Sequence, residues 1–113
     1  MIRLKRIYDP PEADDGIRVL VDGLWPRGIS KSAAGIDRWL RELAPSSALR
    51  TWFGHDPEKW EEFRERYREE LRSRADLLAL LREEAARETV TLLYAAKDRD
   101  CNNAVVVKEE LER

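Results

Sequence analysis

Thr89-Val90-Thr91-Leu92-Leu93-Tyr94-Ala95-Ala96 decides the fold. The run is apolar nearly throughout, as a strand covered on both faces must be, and it places a parallel sheet between packed layers. Just upstream, Ser73 and Asp76 resemble a capping box ahead of Leu77, Leu78, Leu80 and Leu81, which predicts a helix to about Arg87. Downstream, the segment from Asn103 to Leu111 reads two ways. Val105-Val106-Val107 favours a strand, while Ala104, Val107 and Leu111 fit one face of a helix. A helix is the reading adopted, because a crossover onto a parallel edge needs one.

Working back towards the N-terminus, Ile2 to Tyr8 reads as a strand closed by Asp9-Pro10-Pro11, and Ile17 to Val21 as a second. The link between them is too short for a helix, so the two are antiparallel neighbours or parallel without being adjacent. Asp22-Gly23 is not taken as a hairpin turn, because Trp25-Pro26-Arg27-Gly28 breaks any returning strand at once. In the middle of the chain, Ile36, Trp39, Leu40 and Leu43 fall at helical spacing and predict a helix ending before Pro45. Ser46 or Ser47 caps a short helix with Leu49, Trp52 and Phe53, stopped by Gly54. Asp56-Pro57-Glu58 then opens a helix whose buried stripe is Trp60, Phe63, Tyr67 and Leu71, with Glu62 and Arg66 paired on its outer side. The expected architecture is one small layered α/β domain over residues 1–113. Its short, mostly parallel sheet has strand 89–96 central and is flanked by helices.

The 113 residues suit one domain that needs no disulfide or metal to fold. Hydrophobic residues at 42% support a core, and charged residues at 39% cover the surface. With 21 basic and 23 acidic side chains the formal charge is −2, so no global field draws nucleic acid or an anionic membrane. Any anion site must be local. One cysteine, Cys101, permits no internal disulfide. The first residues lack a signal-peptide pattern, and the longest apolar run, Leu92 to Ala96, is far short of a membrane span. A cytoplasmic location is expected. One histidine and one cysteine do not make a zinc site, and neither common nucleotide-binding glycine motif occurs. No metal and no cofactor are expected.

Ligands in open α/β sheets collect beyond the carboxyl ends of the strands. Three strand exits carry polar or unusual residues: Asp9, the stretch Asp22 to Gly28, and Lys97-Asp98 leading into Cys101-Asn102-Asn103. Arg27 follows a stiff Trp-Pro pair, so its guanidinium has a fixed direction. It either meets an anion or pairs with Asp22 or Asp9. Lys97 either joins it or satisfies Asp98. His55 is the single side chain that titrates near neutrality unaided, and its place before a helix start favours the neutral form that a general base needs. Its competing reading is a bridge between helices. Cys101 is a thiol near a helix start or a small buried hydrophobe. Asn102 and Asn103 are good helix caps. Trp39, Trp52 and Trp60 read as core, whereas Trp25 is on a loop and is assigned to the pocket wall.

Arg18-Val19-Leu20-Val21-Asp22, Leu24-Trp25-Pro26-Arg27-Gly28, Trp52-Phe53-Gly54-His55-Asp56 and Leu93-Tyr94-Ala95-Ala96-Lys97-Asp98, with Asn102 and Ala104, closely resemble the YeaO-like family, domain of unknown function 488. The resemblance covers almost the whole chain. It implies a small bacterial or archaeal α/β protein and brings no activity with it. Relatives usually have arginine where this chain has Gly23, and larger ones a Cys-His-Arg tripeptide where it has Cys101-Asn102-Asn103.

The favoured functional expectation is a site for an anionic small molecule such as a nucleotide or sugar phosphate. Trp25, Arg27, Lys97 and Asn102 are its binding residues, and His55 and Asp98 would be the acid or base of any reaction. The alternative is a non-catalytic module for protein or nucleic acid, with Arg3, Lys5 and Arg6 as a weak basic patch. Neither nucleic acid nor a membrane is the expected partner. The Trp52-Phe53 turn is a candidate seam for a homodimer.

Overall fold

All five residues of Val90–Tyr94 (β4) are buried. The computed structural model, which describes residues 1–113, sets this strand between β1 (Ile2–Arg6) and β2 (Ile17–Leu20). A two-residue strand, β3 (Arg38–Trp39), extends the sheet beyond β2. The order is β1-β4-β2-β3, with every pairing parallel. The first two strands are thus parallel without being adjacent, and β4 fills the gap between them.

Successive side chains on a strand face opposite ways, and the two faces of this sheet are covered differently. On one face Val19, Val21, Val90, Leu92 and Tyr94 join the main core. Four helices complete it: α2 (Ser47–Phe53), α3 (Trp60–Leu71), α4 (Ala75–Arg87) and α5 (Asn103–Leu111). Phe63, Tyr67 and Leu71 supply the buried stripe of α3, with Trp60 packed at its margin. Each large apolar side chain so buried stabilises the fold by roughly 1.5–3 kcal/mol. On the other face Ile7, Leu20 and Leu93 are covered by the loop segment 23–37, through Ala34, Trp25, Ile29 and Ile36, and by Trp39. The one helix in that segment is the single turn α1 (Lys31–Ala34). No helix of the chain is long and apolar enough to cross a membrane.

The amino-terminal end of that second face is ionic. Asp15 is fully buried and accepts from Lys5 Nζ at 3.1 Å, from the Glu12 backbone N–H at 3.0 Å, and from Arg18. Arg18 also donates to the carbonyls of Gly35 at 2.9 Å and Ala34 at 3.0 Å, which ties the covering loop to β2. Gly16 must be glycine here. Its φ is +65°, and a Cβ would stand 2.1 Å from the Thr89 carbonyl oxygen.

Helix α5 forms as expected, with the Asn102 side chain accepting from the Val105 N–H. Ser46 caps α2, Gly54 ends it in the left-handed region, and Asp56 caps the 3-10 turn that leads into α3. Two local expectations fail. Residues 36–43 are not a helix but β3 followed by a 3-10 turn at Arg41–Leu43. Ile36 and Trp39 serve the minor core, while Leu40 and Leu43 serve the main one, on the opposite side of the sheet. A single helical stripe cannot feed both. The Asp37 and Leu40 N–H groups instead satisfy the Arg18 and Leu20 carbonyls at the edge of β2, both at 2.9 Å. The capping box at Ser73 and Asp76 also does not form. A 3-10 turn at Arg72–Arg74 joins α3 to α4, and Ser73 donates to the Glu70 carbonyl at 2.8 Å.

Candidate functional site

A cavity of about 460 Å³ opens beyond the carboxyl ends of β2 and β4. That is within the range of roughly 300–1,000 Å³ usual for small-molecule sites. Its apolar wall includes Trp25, Pro26, Phe53 and Phe63, and its polar groups include Asp22, Arg27, Arg50, His55, Asn102 and Asn103. Phe53 and Phe63 are stacked at 4.3 Å between ring centroids and belong to the main core, so this wall is rigid.

Trp25 and Arg27 are held by their loop. The Trp25 indole N–H donates to the Ile29 carbonyl at 2.6 Å, and its ring meets Trp39 edge-on at 5.3 Å. Tyr8 donates its hydroxyl to the Arg27 carbonyl at 3.0 Å, fixing the backbone from which the exposed guanidinium projects. Arg27 makes neither of the ion pairs open to it in the sequence. Asp9 is taken by a two-pronged bond from Arg99, 3.0 Å at each oxygen, which holds its carboxyl below the usual range. Asp22 is held by amides instead. Its Oδ2 accepts from the Ala95 backbone N–H at 2.9 Å and its Oδ1 from Asn103 Nδ2 at 3.0 Å. Burial pushes its acidity towards higher pH. The two amide donors, with Arg50 and His55 at longer range, offset this only in part.

The other expected site residues divide. His55 lies on the cavity wall with φ at +57°, the left-handed region, which histidine enters more readily than most non-glycine residues. Asn102 is buried there as the cap of α5. Lys97 and Asp98 do not line the cavity. Lys97 is exposed and forms no ion pair with Asp98. The Asp98 carboxylate accepts from the backbone N–H groups of Asp100 and Cys101, each at 2.9 Å, and these donors lower its pKa. The second cation at the cavity is Arg50, on α2. A Cβ on Gly23 would stand 3.5 Å from Arg50 Nη1, so Arg50 sits beside the position where the resemblance puts an arginine. Sequence reading missed Arg50 because it is an exposed residue of α2 that lies just outside the Trp52 to Asp56 stretch and follows no strand exit. Asp22 was visible as a strand exit but not as a group without an ion pair.

Cys101 also lines the cavity, and burial, followed by Asp98 and Asp100, pushes its thiol up, against the direction a helix start would give. The basic strand β1 is spent internally: Arg3 pairs with Asp14, Lys5 with Glu12 and Asp15, and Arg6 donates to the Ala95 and Ala96 carbonyls. At the Trp52-Phe53 turn Phe53 is buried within the chain, and the Trp52 ring lies beneath Arg66 and Lys59 at 4.4 and 5.2 Å.

Fold and site together define a one-domain α/β protein with an open parallel sheet and a mixed apolar and charged cavity at its carboxyl edge. The chain belongs to the YeaO-like DUF488 family: the model of the Inactive DUF488-N3 subclade matches residues 1–113. It is 42% identical over 110 residues to the uncharacterized protein YeaO of Escherichia coli, covering 97% of this chain and 96% of that one. It is 41% identical over 110 residues to the uncharacterized protein Rv3073c of Mycobacterium tuberculosis, covering 97% and 92% respectively. No solved structure matches it.

Proposed function

We propose that the cavity binds a small anionic molecule, with its negative group at Arg27 and Arg50 and an apolar or ring portion against Trp25 and Phe53. One observation carries this reading. Both guanidinium groups line the cavity without a carboxylate partner, in a protein where most other arginines hold an acid. A guanidinium beside an apolar wall is weakly hydrated and keeps its charge, which suits phosphate or carboxylate. Asn102 and the start of α5 add a positive backbone end at the same mouth.

The role is binding rather than turnover. Asp98 is committed to its loop and lies off the cavity wall, so that His55 alone of the two expected acid–base residues lines the cavity, and the subclade is described as inactive. A thermal-shift screen of nucleotides, sugar phosphates and carboxylates, run on the wild type and on Arg27→Ala, tests it. A ligand at ~100 times its Kd adds about 2.7 kcal/mol, several degrees for a domain of this size. The expected result is a shift that the variant loses. No shift with any anion, or a shift the variant keeps in full, would refute the reading.

A further inference from the structure

We propose that Asp22 is the specificity-determining residue of this cavity and selects, among small anions, those that carry hydroxyl groups, so that the ligand class is a phosphorylated sugar. The inference rests on the anion-binding reading above.

Half-buried Asp22 stands apart from the buried acids Asp15 and Glu84. Asp15 is paired with Lys5 and Arg18, and Glu84 with Arg38 at 2.8 Å. Asp22 lines the cavity and has no ion pair, although Arg50 and His55 lie close enough to bias its charge. Its oxygens each accept one bond from the protein, from Ala95 N–H and from Asn103 Nδ2. A carboxylate has about four acceptor positions, so roughly two remain, on a group that borders open space. Asn103 is itself anchored, donating to the Val21 carbonyl at 3.0 Å as well, so the carboxylate cannot swing away.

Holding the Ala95 N–H alone does not require a charge, since an amide oxygen at position 22 would accept it; the second carboxylate oxygen receives Asn103 Nδ2, where an amide would set NH2 against NH2. A carboxylate beside two arginines also repels a bare anion. It becomes favourable when the same ligand brings donors, and hydroxyls on a short carbon chain supply them alongside a phosphate. Hydrogen bonds to a charged group contribute about 1.5–3 kcal/mol, a preference of roughly 10- to 150-fold.

The test is titration calorimetry with ribose 5-phosphate and pentyl phosphate, which match in phosphate and carbon number and differ in the sugar's oxygens. The apolar wall by itself favours pentyl phosphate, so a preference for the sugar is a demanding result. Wild type should bind ribose 5-phosphate at least about tenfold more tightly. In Asp22→Asn that advantage should fall to a few-fold or less, while pentyl phosphate binds as well as before or better. Should Asp22→Asn fail to fold, Asp22→Ser, smaller and uncharged, takes its place with the same expectation. Equal wild-type affinity for the two probes, or an advantage that survives the substitution, would overturn the role of Asp22 and leave anion binding standing. Failure of the wild type to bind either phosphate overturns the phosphorylated-sugar assignment, and anion binding falls with it only if the wider screen of nucleotides and carboxylates is also empty.

Discussion

At the amino-terminal end of the sheet Lys5 and Arg18 are balanced by Asp15 and Glu12, whereas at the carboxyl end Asp22, Arg27 and Arg50 share one cavity without an ion pair among them. The first cluster is closed: Arg18 spends its remaining donors on the Ala34 and Gly35 carbonyls, and the Thr91 hydroxyl donates to the Asp15 carbonyl at 2.6 Å. The second is open: two amide donors fix Asp22, the Tyr8 hydroxyl fixes the backbone of Arg27, and no ion pair compensates any of the three charges. Charge compensated within the protein holds a loop to a sheet. Charge fixed in place without compensation is available to a ligand.

The contrast can be broken first at the closed end. Asp15→Ala leaves Arg18 buried without its acid, and the loss of stability should be about 3–5 kcal/mol by urea unfolding, with ligand binding by the folded protein unchanged. A loss below ~1 kcal/mol, within the range of an exposed pair, would show that the cluster is not closed as described. Acid titration sharpens the same point. Burial raises the pKa of Asp15, but the Glu12 N–H, Lys5 and Arg18 together bring it below its ordinary 3.8. Its contribution is therefore present above that value and lost as pH falls through the lower folded one. Wild type should lose more stability in that window than Asp15→Asn, which keeps only the contributions of other lowered carboxylates such as Asp9 and Asp98; parallel curves would contradict the assignment.

Smaller effects belong to the cavity. Asn102→Ala removes the cap of α5 and should cost about 1 kcal/mol by urea unfolding. Removing Arg27, which has no acid to release, should change stability by no more than ~0.5 kcal/mol. A larger loss would mark it as a structural residue and erase the difference between the two ends.

Much of this was legible in the sequence for reasons that can be named. The run around Leu92 is apolar because both faces of β4 are covered, and the caps at Ser46, Asp56 and Asn102 carry their own local hydrogen bonds. Arg27 stood out through the stiffness of the Trp-Pro pair before it and Trp25 as the one tryptophan on a loop, and both line the cavity. What was hidden depends on tertiary placement. Residues 36–43 have helical spacing, yet the open edge of β2 draws them into a strand whose neighbours serve two cores. Lys97 follows the strand directly but leaves the cavity, because Asp98 turns the chain through its bonds to Asp100 and Cys101. Arg50 lies far in sequence from Asp22 to Arg27, and only the packing of α2 brings it beside Gly23.

The most direct measurement crosses the two ends, taking Arg18→Ala and Arg27→Ala through urea unfolding and ribose 5-phosphate titration together. The prediction is a double dissociation. Arg18→Ala should lose several kcal/mol of stability while its folded fraction still binds, and Arg27→Ala should unfold like the wild type while its affinity falls at least about tenfold. Loss of stability in both with affinity kept in both would mean that the carboxyl-end arginines are structural, and the central claim would be wrong.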